Sequence, residues 1–293
     1  MSGVIIDGQA VAASLREQTR AVVAQMRSDG RDVHLSAVMV GDPASGTIYA
    51  RSQEARCREV GIAYTLHALP EAATEDEIVA TIGRLNTDPR VTGILLNLPL
   101  PPHIDTPAVH YHIDPYKDVE GVNPANIGLL FYDAPIIAPC TALAVMEILR
   151  RIHCTPRGMN AVVVGLGAIA GRPISLFLQH ELATVTACHK ETRNLAEHTR
   201  LADLLIVAAG EPRLIGAEHV KPGAVVIDVG INRIDDGRGN QTIVGDVRFE
   251  EVKEIASAIT PVPGGVGPVT VATLLRSAAD AARNQLRPRR LTT

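Results

Sequence analysis

Apolar residues recur along the chain at two spacings, and the alternation between them predicts a β/α protein. Val11, Leu15, Val22, Val23 and Met26 fall at helical intervals and predict a long helix over 9–28. A short apolar run at 34–40 ends in Gly-Asp-Pro and predicts a strand entering a turn. The segment 44–60 reads as a helix stopped by Gly61, and 62–69 as a strand. Thr74 followed by Glu-Asp-Glu is an N-cap with acids in the first turn, so 74–85 reads as a helix. Residues 91–98 form a strand that runs into Pro-Leu-Pro-Pro. From 99 to 139 proline is frequent and no period holds, which predicts a loop region carrying function and a boundary. A bridging helix at 141–151 leads into a second set, with strands at 160–164, 184–188, 204–208 and 224–229 and helices near 171–181 and 192–200. A helix at 269–284 closes the pattern. Strands separated by helix-length segments pair in parallel through right-handed crossovers. The expected fold class is therefore α/β, arranged as two α/β lobes.

Composition narrows this picture. With 293 residues the chain has room for two domains, each of roughly 150 residues. Aromatics are 3% and tryptophan is absent, so the core must be built from Val, Ile, Leu and Ala. A net charge of −4 gives no electrostatic reason to expect nucleic acid or an anionic membrane as a partner. The cysteines, Cys57, Cys140, Cys154 and Cys188, form no C-x-x-C pair, and no histidine cluster has zinc-like spacing. Reduced, buried thiols and no metal are expected. No segment reaches the ~18 apolar residues of a membrane helix. The first residues lack the basic and apolar regions of a signal peptide, so a cytoplasmic location is expected. Of 28 cationic side chains only Lys117, Lys190, Lys221 and Lys253 are lysines, which reads as a bias toward arginine codons and makes each lysine worth locating.

Chemistry first shows at 161–173, Ala-Val-Val-Val-Gly-Leu-Gly-Ala-Ile-Ala-Gly-Arg-Pro. An apolar strand runs into glycines and then a helix, and Gly165, Gly167 and Ala170 fit G-x-G-x-x-A. The first glycine permits the tight turn, the second lets backbone approach a pyrophosphate, and the small third residue lets helix pack on strand. The bland alternative is a plain βα turn. An acid at the tip of the second strand would hold a ribose 2′-hydroxyl, but that strand ends Cys188-His189-Lys190, with Glu191 one step beyond. Lys190 suits a 2′-phosphate and favours NADP, with NAD open; it also reads as a solvated surface lysine.

Several long motifs stand in order along nearly the whole chain. They are Val40-Gly-Asp-Pro-Ala-Ser45 with Tyr49, Gly93-Ile-Leu-Leu-Asn-Leu-Pro-Leu-Pro101, Asp114-Pro-Tyr-Lys-Asp-Val-Glu-Gly121 and Pro139-Cys-Thr141. Gly171-Arg-Pro173, Lys221-Pro-Gly-Ala, Ile227-Asp-Val-Gly-Ile-Asn232, Gly245-Asp-Val247 and Pro261-Val-Pro-Gly-Gly-Val-Gly-Pro268 follow. Together they resemble the methylenetetrahydrofolate dehydrogenase/methenyltetrahydrofolate cyclohydrolase family. The resemblance implies a folate-binding catalytic domain of residues 1–140 completed by 269–293, and a Rossmann-like NAD(P)-binding domain of residues 141–268. It implies a homodimer and a tetrahydrofolate derivative as substrate. It implies that Tyr49 packs on the pterin–aminobenzoate plane, that Leu98, Pro99 and Glu120 contact folate, and that Pro263, Gly264 and Gly265 line the junction of folate with cofactor. It also assigns Gly165, Gly167, Ala168, Ile169, His189, Lys190, Ala209, Gly230, Ile231 and Thr270 to the cofactor.

The chain departs from the family pattern at the hydrolytic centre. The family's tyrosine is followed four residues later by a lysine that serves the cyclohydrolase step, and this chain has Gln53 there. An amide does not titrate, although it donates and accepts hydrogen bonds. The family's partner glutamine is Asn97 here, one methylene shorter, and its aspartate is Glu120, one methylene longer. NADP-using members carry Arg-Ser after the first glycine of the fingerprint, and this chain has Leu166-Gly167. Arg51 and Arg56 stay protonated near neutral pH and do not replace a proton-shuttling lysine. Lys117 and Asp118 read as structural, and Cys140 as a packed thiol. The expectation is an NAD(P)-dependent oxidation of 5,10-methylenetetrahydrofolate, with the cyclohydrolase step weak or lost and Tyr49, Gln53, Asn97 and Glu120 at the catalytic centre. The alternatives are a fully bifunctional enzyme, a related oxidoreductase with an altered pterin or iminium substrate, and a non-catalytic folate-binding homologue.

Overall fold

Along the chain run β1 (Val4–Ile5), α1 (Gly8–Ser28), β2 (His34–Val40), α2 (Ala44–Val60), β3 (Ala63–Leu69), α3 (Glu75–Thr87), β4 (Gly93–Leu96), α4 (Thr106–Tyr111), α5 (Pro124–Phe131) and α6 (Cys140–Arg151). Then follow β5 (Asn160–Val164), α7 (Gly171–His180), β6 (Thr184–Cys188), α8 (Leu195–Thr199), β7 (Leu204–Val207), β8 (Val225–Asp228), β9 (Asn232–Asp235), β10 (Gln241–Val244), α9 (Phe249–Val252), β11 (Ala258–Ile259) and α10 (Val266–Asn284). This computed structural model describes residues 3–41, 44–235 and 241–286, and for 44–49 the backbone alone. Contacts divide the chain into two units, Met1–Ala13 with Thr141–Thr273, and Ser14–Cys140 with Leu274–Thr293.

The second of these units is built on a parallel three-stranded sheet in the order β3-β2-β4. One face buries Leu35, Ala37 and Leu95 against Val23 and Met26 of α1, Cys57 and Val60 of α2, and Leu275, Ala278 and Ala282 of α10. The other buries Val38, Val40 and Leu96 against Ile78, Ile82 and Leu85 of α3. Two helices fall where the sequence predicts loop. Asp105 caps α4 by accepting from the Ala108 amide, and Asn123 caps α5 by accepting from the Ala125 amide. The prolines that read as loop signals, Pro107 and Pro124, sit in the first helical turns, where a missing N–H is no loss. Lys117 is buried and donates to the carbonyls of Leu85, Asn86 and Asp88 at 2.8–3.0 Å, just where α3 ends. Asp118 accepts from the Gly121 and Asn123 amides and from Asn126 Nδ2. Both are structural, as expected. The Cys140 thiol donates to the Val119 carbonyl at 3.2 Å and lies near Ser277, and burial pushes it well above the ordinary thiol range, so it is a packed thiol.

The other unit holds a parallel six-stranded sheet, in the order β1-β11-β8-β7-β5-β6. Residues 161–164 and 204–207 are buried without alternation, as strands covered on both faces must be. The chain leaves β5 for β6 on one side and returns through α8 to β7 on the other, which makes the β5–β7 edge a topological switch point. Residues 1–13 belong here and not with the first lobe, because β1 pairs with β11. The pattern of residues gave no warning of β1, β11 or the antiparallel ribbon β9–β10, all four residues or shorter and below the length at which periodicity registers.

Candidate functional site

A cavity of about 680 Å³ opens at the carboxyl ends of β5 and β6, outside the switch point. Of the residues predicted for the cofactor, Gly165, His189, Lys190 and Ala209 line it. Gly165 has φ +93°, and a Cβ there would lie 2.1 Å from the Ala208 carbonyl oxygen, so no other residue fits that turn. A Cβ on Gly167 would meet nothing within 4 Å, which leaves the backbone open to a ligand. The close helix–strand approach falls at Gly171, whose Cβ would lie 1.8 Å from the Gly165 carbonyl oxygen, and not at Ala170, which is the N-cap of α7. Gly167, Ala168 and Ile169 are exposed beside this turn and do not line the cavity. Thr270 lies on α10, where its hydroxyl donates to the Val266 carbonyl. Arg172, Thr192 and Glu211 line the cavity and escaped the sequence reading, although Arg172 stands inside the quoted Gly-Arg-Pro motif. Among the described residues Lys190 is the only lysine with no hydrogen-bond or ion-pair partner. Lys221 pairs with Asp203, Lys253 with Glu250, and Lys117 is buried in the other unit.

Two carboxylates explain the Asp-Val-Gly and Gly-Asp-Val motifs. Asp246 accepts from the Ala209 and Gly210 amides at 2.7 and 2.9 Å and from Asn232 Nδ2 at 2.8 Å. Asp228 accepts from the amides of Gly230, Asp246 and Val247 at 2.9–3.1 Å. Burial, with the Asp246 charge nearby, pushes Asp228 up to about 7. A Cβ on Gly245 would strike Asp228, and one on Gly230 would strike Asp246, so the glycines make room for the acids. This lattice fixes the loops after β7 and β8. Gly230 and Ile231 from the second loop line a smaller cavity of about 170 Å³ with Pro261–Pro268, which includes Pro263, Gly264 and Gly265. Gly264 has φ +107°, which keeps that turn glycine-dependent. Ile231, 63% exposed, is an apolar side chain turned to solvent at a predicted site position, as are Leu98 and Ile169.

In the unit built on β3-β2-β4, Gln53 lies one turn before Cys57 on α2, facing the α1/α2/α10 side of the sheet. Asn97 continues β4, its amide donating to the Val38 carbonyl at 2.8 Å. Two residues beyond Leu95, its side chain takes the same side. Both are at least nine-tenths buried. Gln53 Oε1 accepts from the Tyr64 hydroxyl at 3.1 Å, while Gln53 Nε2 and both polar atoms of the Asn97 amide have no partner among the described residues. Glu120 follows a segment that bridges Ile94 through Asp118, and so runs beside β4. Burial, then the charge of Asp118, pushes Glu120 up to about 8. Burial raises Asp118 as well, and its three N–H donors oppose that shift; at about 8 Glu120 favours its protonated form at neutral pH. Leu98 and Pro99 follow Asn97 directly, with Leu98 45% exposed. Arg51 is exposed and Arg56 half-buried. The Tyr49 side chain lies outside the described residues. Tyr64 was not legible as a site residue, since its contact spans 11 positions across a helix–strand turn.

Among the described residues no helix is long and apolar enough to cross a membrane, and no cluster of three or more His, Cys, Asp or Glu could hold a metal ion. Residues 6–120 match the family model described as the tetrahydrofolate dehydrogenase/cyclohydrolase catalytic domain, and residues 139–286 match its NAD(P)-binding domain. A bifunctional FolD protein of Brevibacillus brevis is 45% identical over 285 residues, covering 97% of this chain and 99% of its own. The crystal structure of a bifunctional FolD methylenetetrahydrofolate dehydrogenase/cyclohydrolase from Campylobacter jejuni superposes with a TM-score of 0.93 at 40% identity, over 97% of this chain and 100% of that one. The Trypanosoma brucei methylenetetrahydrofolate dehydrogenase-cyclohydrolase, solved with NADP cofactor and an inhibitor, gives a TM-score of 0.92 at 38% identity, over 98% and 100%.

Proposed function

The chain belongs to the tetrahydrofolate dehydrogenase/cyclohydrolase family, and from that premise we propose that it oxidises 5,10-methylenetetrahydrofolate and hydrolyses the methenyl product to 10-formyltetrahydrofolate. The observation that carries both activities is whole-length similarity to bifunctional relatives at 40–45% identity. It favours the bifunctional reading over the expectation of a weak or lost hydrolysis. In the first step the methylene carbon loses a hydride, and the lone pairs of N5 and N10 stabilise the methenyl cation that remains. The nicotinamide, when bound, accepts that hydride. In the second step water adds to the methenyl carbon, a proton leaves, and the ring opens.

The residues present fit a dinucleotide. The turn at Gly165, the open face of Gly167 and the cavity beside them suit a pyrophosphate and ribose. Lys190 and Arg172 line that cavity together and supply two cations for a 2′-phosphate, which favours NADP over NAD. Glu120, protonated at neutral pH, can donate one hydrogen bond and accept another along the polar edge of the pterin. Gln53 and Asn97 offer buried amide groups to the water or to the substrate. The homodimer rests on the family resemblance, and sedimentation of the purified chain tests it.

A dehydrogenase without hydrolysis is the second reading, favoured by one observation: Gln53 cannot exchange a proton as the family's lysine does. A two-wavelength assay separates the two. It follows reduced nicotinamide and methenyltetrahydrofolate together, with NADP and with NAD, against the uncatalysed hydrolysis rate. Reduced cofactor without methenyl accumulation is the expected result. Methenyl rising in step with reduced cofactor supports the second reading, and reduction with neither cofactor sinks both.

A further inference from the structure

Tyr64 lies at the start of β3, just past the Gly61 turn that follows α2, and its hydroxyl donates to Gln53 Oε1 at 3.1 Å. That bond engages the oxygen end of the amide. The nitrogen end, Nε2, is buried and has no partner among the described residues. Asn97, on the same side of the sheet, adds a buried donor and a buried acceptor that are also unpartnered. A buried amide group without a partner is unfavourable, and a ligand that pairs with it removes that penalty. The position is uncharged at both amides, so its recognition is by neutral hydrogen bonds.

We propose that Tyr64 is a positioning residue for folate recognition, pinning the Gln53 amide so that Nε2 donates to a polar acceptor on the bound tetrahydrofolate beside Asn97. This rests on the folate reading above. A free glutamine side chain rotates about its terminal bond and can present either end; the phenol removes that freedom. The chemistry selected is an acceptor atom, a carbonyl or ring nitrogen, in place of the anionic or proton-exchanging group that a lysine would meet.

A double-mutant cycle on the full chain tests this, using Tyr64→Phe, Gln53→Leu and the pair. The readouts are the Kd for tetrahydrofolate by calorimetry, kcat for 5,10-methylenetetrahydrofolate oxidation, and thermal midpoints to confirm folding. Each single substitution is expected to weaken binding by about three- to tenfold, the range of one neutral hydrogen bond. The double mutant is expected to bind no worse than Gln53→Leu alone, and in Tyr64→Phe kcat for oxidation is expected to change far less than Kd. Gln53→Glu keeps an acceptor for Tyr64 but loses the N–H, so it should weaken binding as leucine does. Independent, multiplying effects, an unchanged Kd in Tyr64→Phe, or wild-type binding by Gln53→Glu would each overturn the positioning role and leave the folate reading intact. Failure of the wild-type chain to bind tetrahydrofolate at all overturns both.

Discussion

Glu120 shows how burial and one neighbour set a side chain's protonation. Its carboxyl is desolvated and lies near Asp118, which accepts from the Gly121 and Asn123 amides and from Asn126 Nδ2. The folded-state pKa, about 8, lies above the ordinary 4.5. Between those values the native chain binds a proton that the unfolded chain has released, so this group's contribution to stability falls as pH rises from about 5 toward 8. Each unit of displacement corresponds to about 1.4 kcal/mol. Glu120→Gln keeps the neutral form and should lessen the fall in thermal midpoint between about pH 5 and pH 8, leaving the part that Asp228 contributes; a slope as steep as the parent's would put the titration elsewhere. At the nucleotide cavity, Lys190→Ala and Arg172→Ala should each raise KM for NADP about tenfold or more while leaving KM for NAD within about twofold. Equal losses with both cofactors in steady-state kinetics would place these cations away from the 2′-phosphate. Gln53, Asn97, Glu120 and Lys190 could be named from the motifs in which they stand. Arg172 and Tyr64 were not, because what marks them is a shared cavity and a contact across a turn.

Among the elements, α3 and its surroundings show sequence and structure agreeing by a named device. Thr74 and Glu77 form a reciprocal capping box, and the helix starts where the sequence places it. Its other end depends on Lys117, more than thirty residues away for Leu85 and Asn86, which donates to the carbonyls of Leu85, Asn86 and Asp88. Lys117→Met keeps the aliphatic stem and strips the buried carbonyls of their partner. It should lower stability by roughly 2–4 kcal/mol, read from the urea midpoint at unchanged m-value; a loss below about 0.5 kcal/mol would mean that water replaces the ammonium. The helices α4 and α5 show the converse. Their prolines stand in the first turn of each, and a proline-rich stretch therefore concealed short capped helices.

At the level of the whole molecule, each unit is assembled from segments far apart in sequence. Leu275, Ala278, Ala279, Ala281 and Ala282 of α10 are buried in the core that α1, α2, β2 and β4 build. Ending the chain at Thr273 removes those side chains and exposes the apolar face of the three-stranded sheet. Such a truncation should leave the unit of residues 14–140 susceptible to limited proteolysis while the six-stranded unit keeps its protection. Equal resistance in both would show that the returning helix is dispensable. The same discontinuity holds at the other end, where β1 adds a strand beside β11.

By itself the sequence determined the β/α alternation, the two parallel sheets and the family, because periodicity, glycine turns and ordered motifs are local and survive in one dimension. The tertiary structure decided which unit holds the first thirteen residues, which glycine gives the close helix–strand approach, and which carboxylates hold the loops after β7 and β8. It decided, too, that Tyr64 meets Gln53 and that Lys190 and Arg172 share one cavity. These are relations between residues that only packing brings within a few ångströms, and side-chain hydrogen bonds and burial act over just that range.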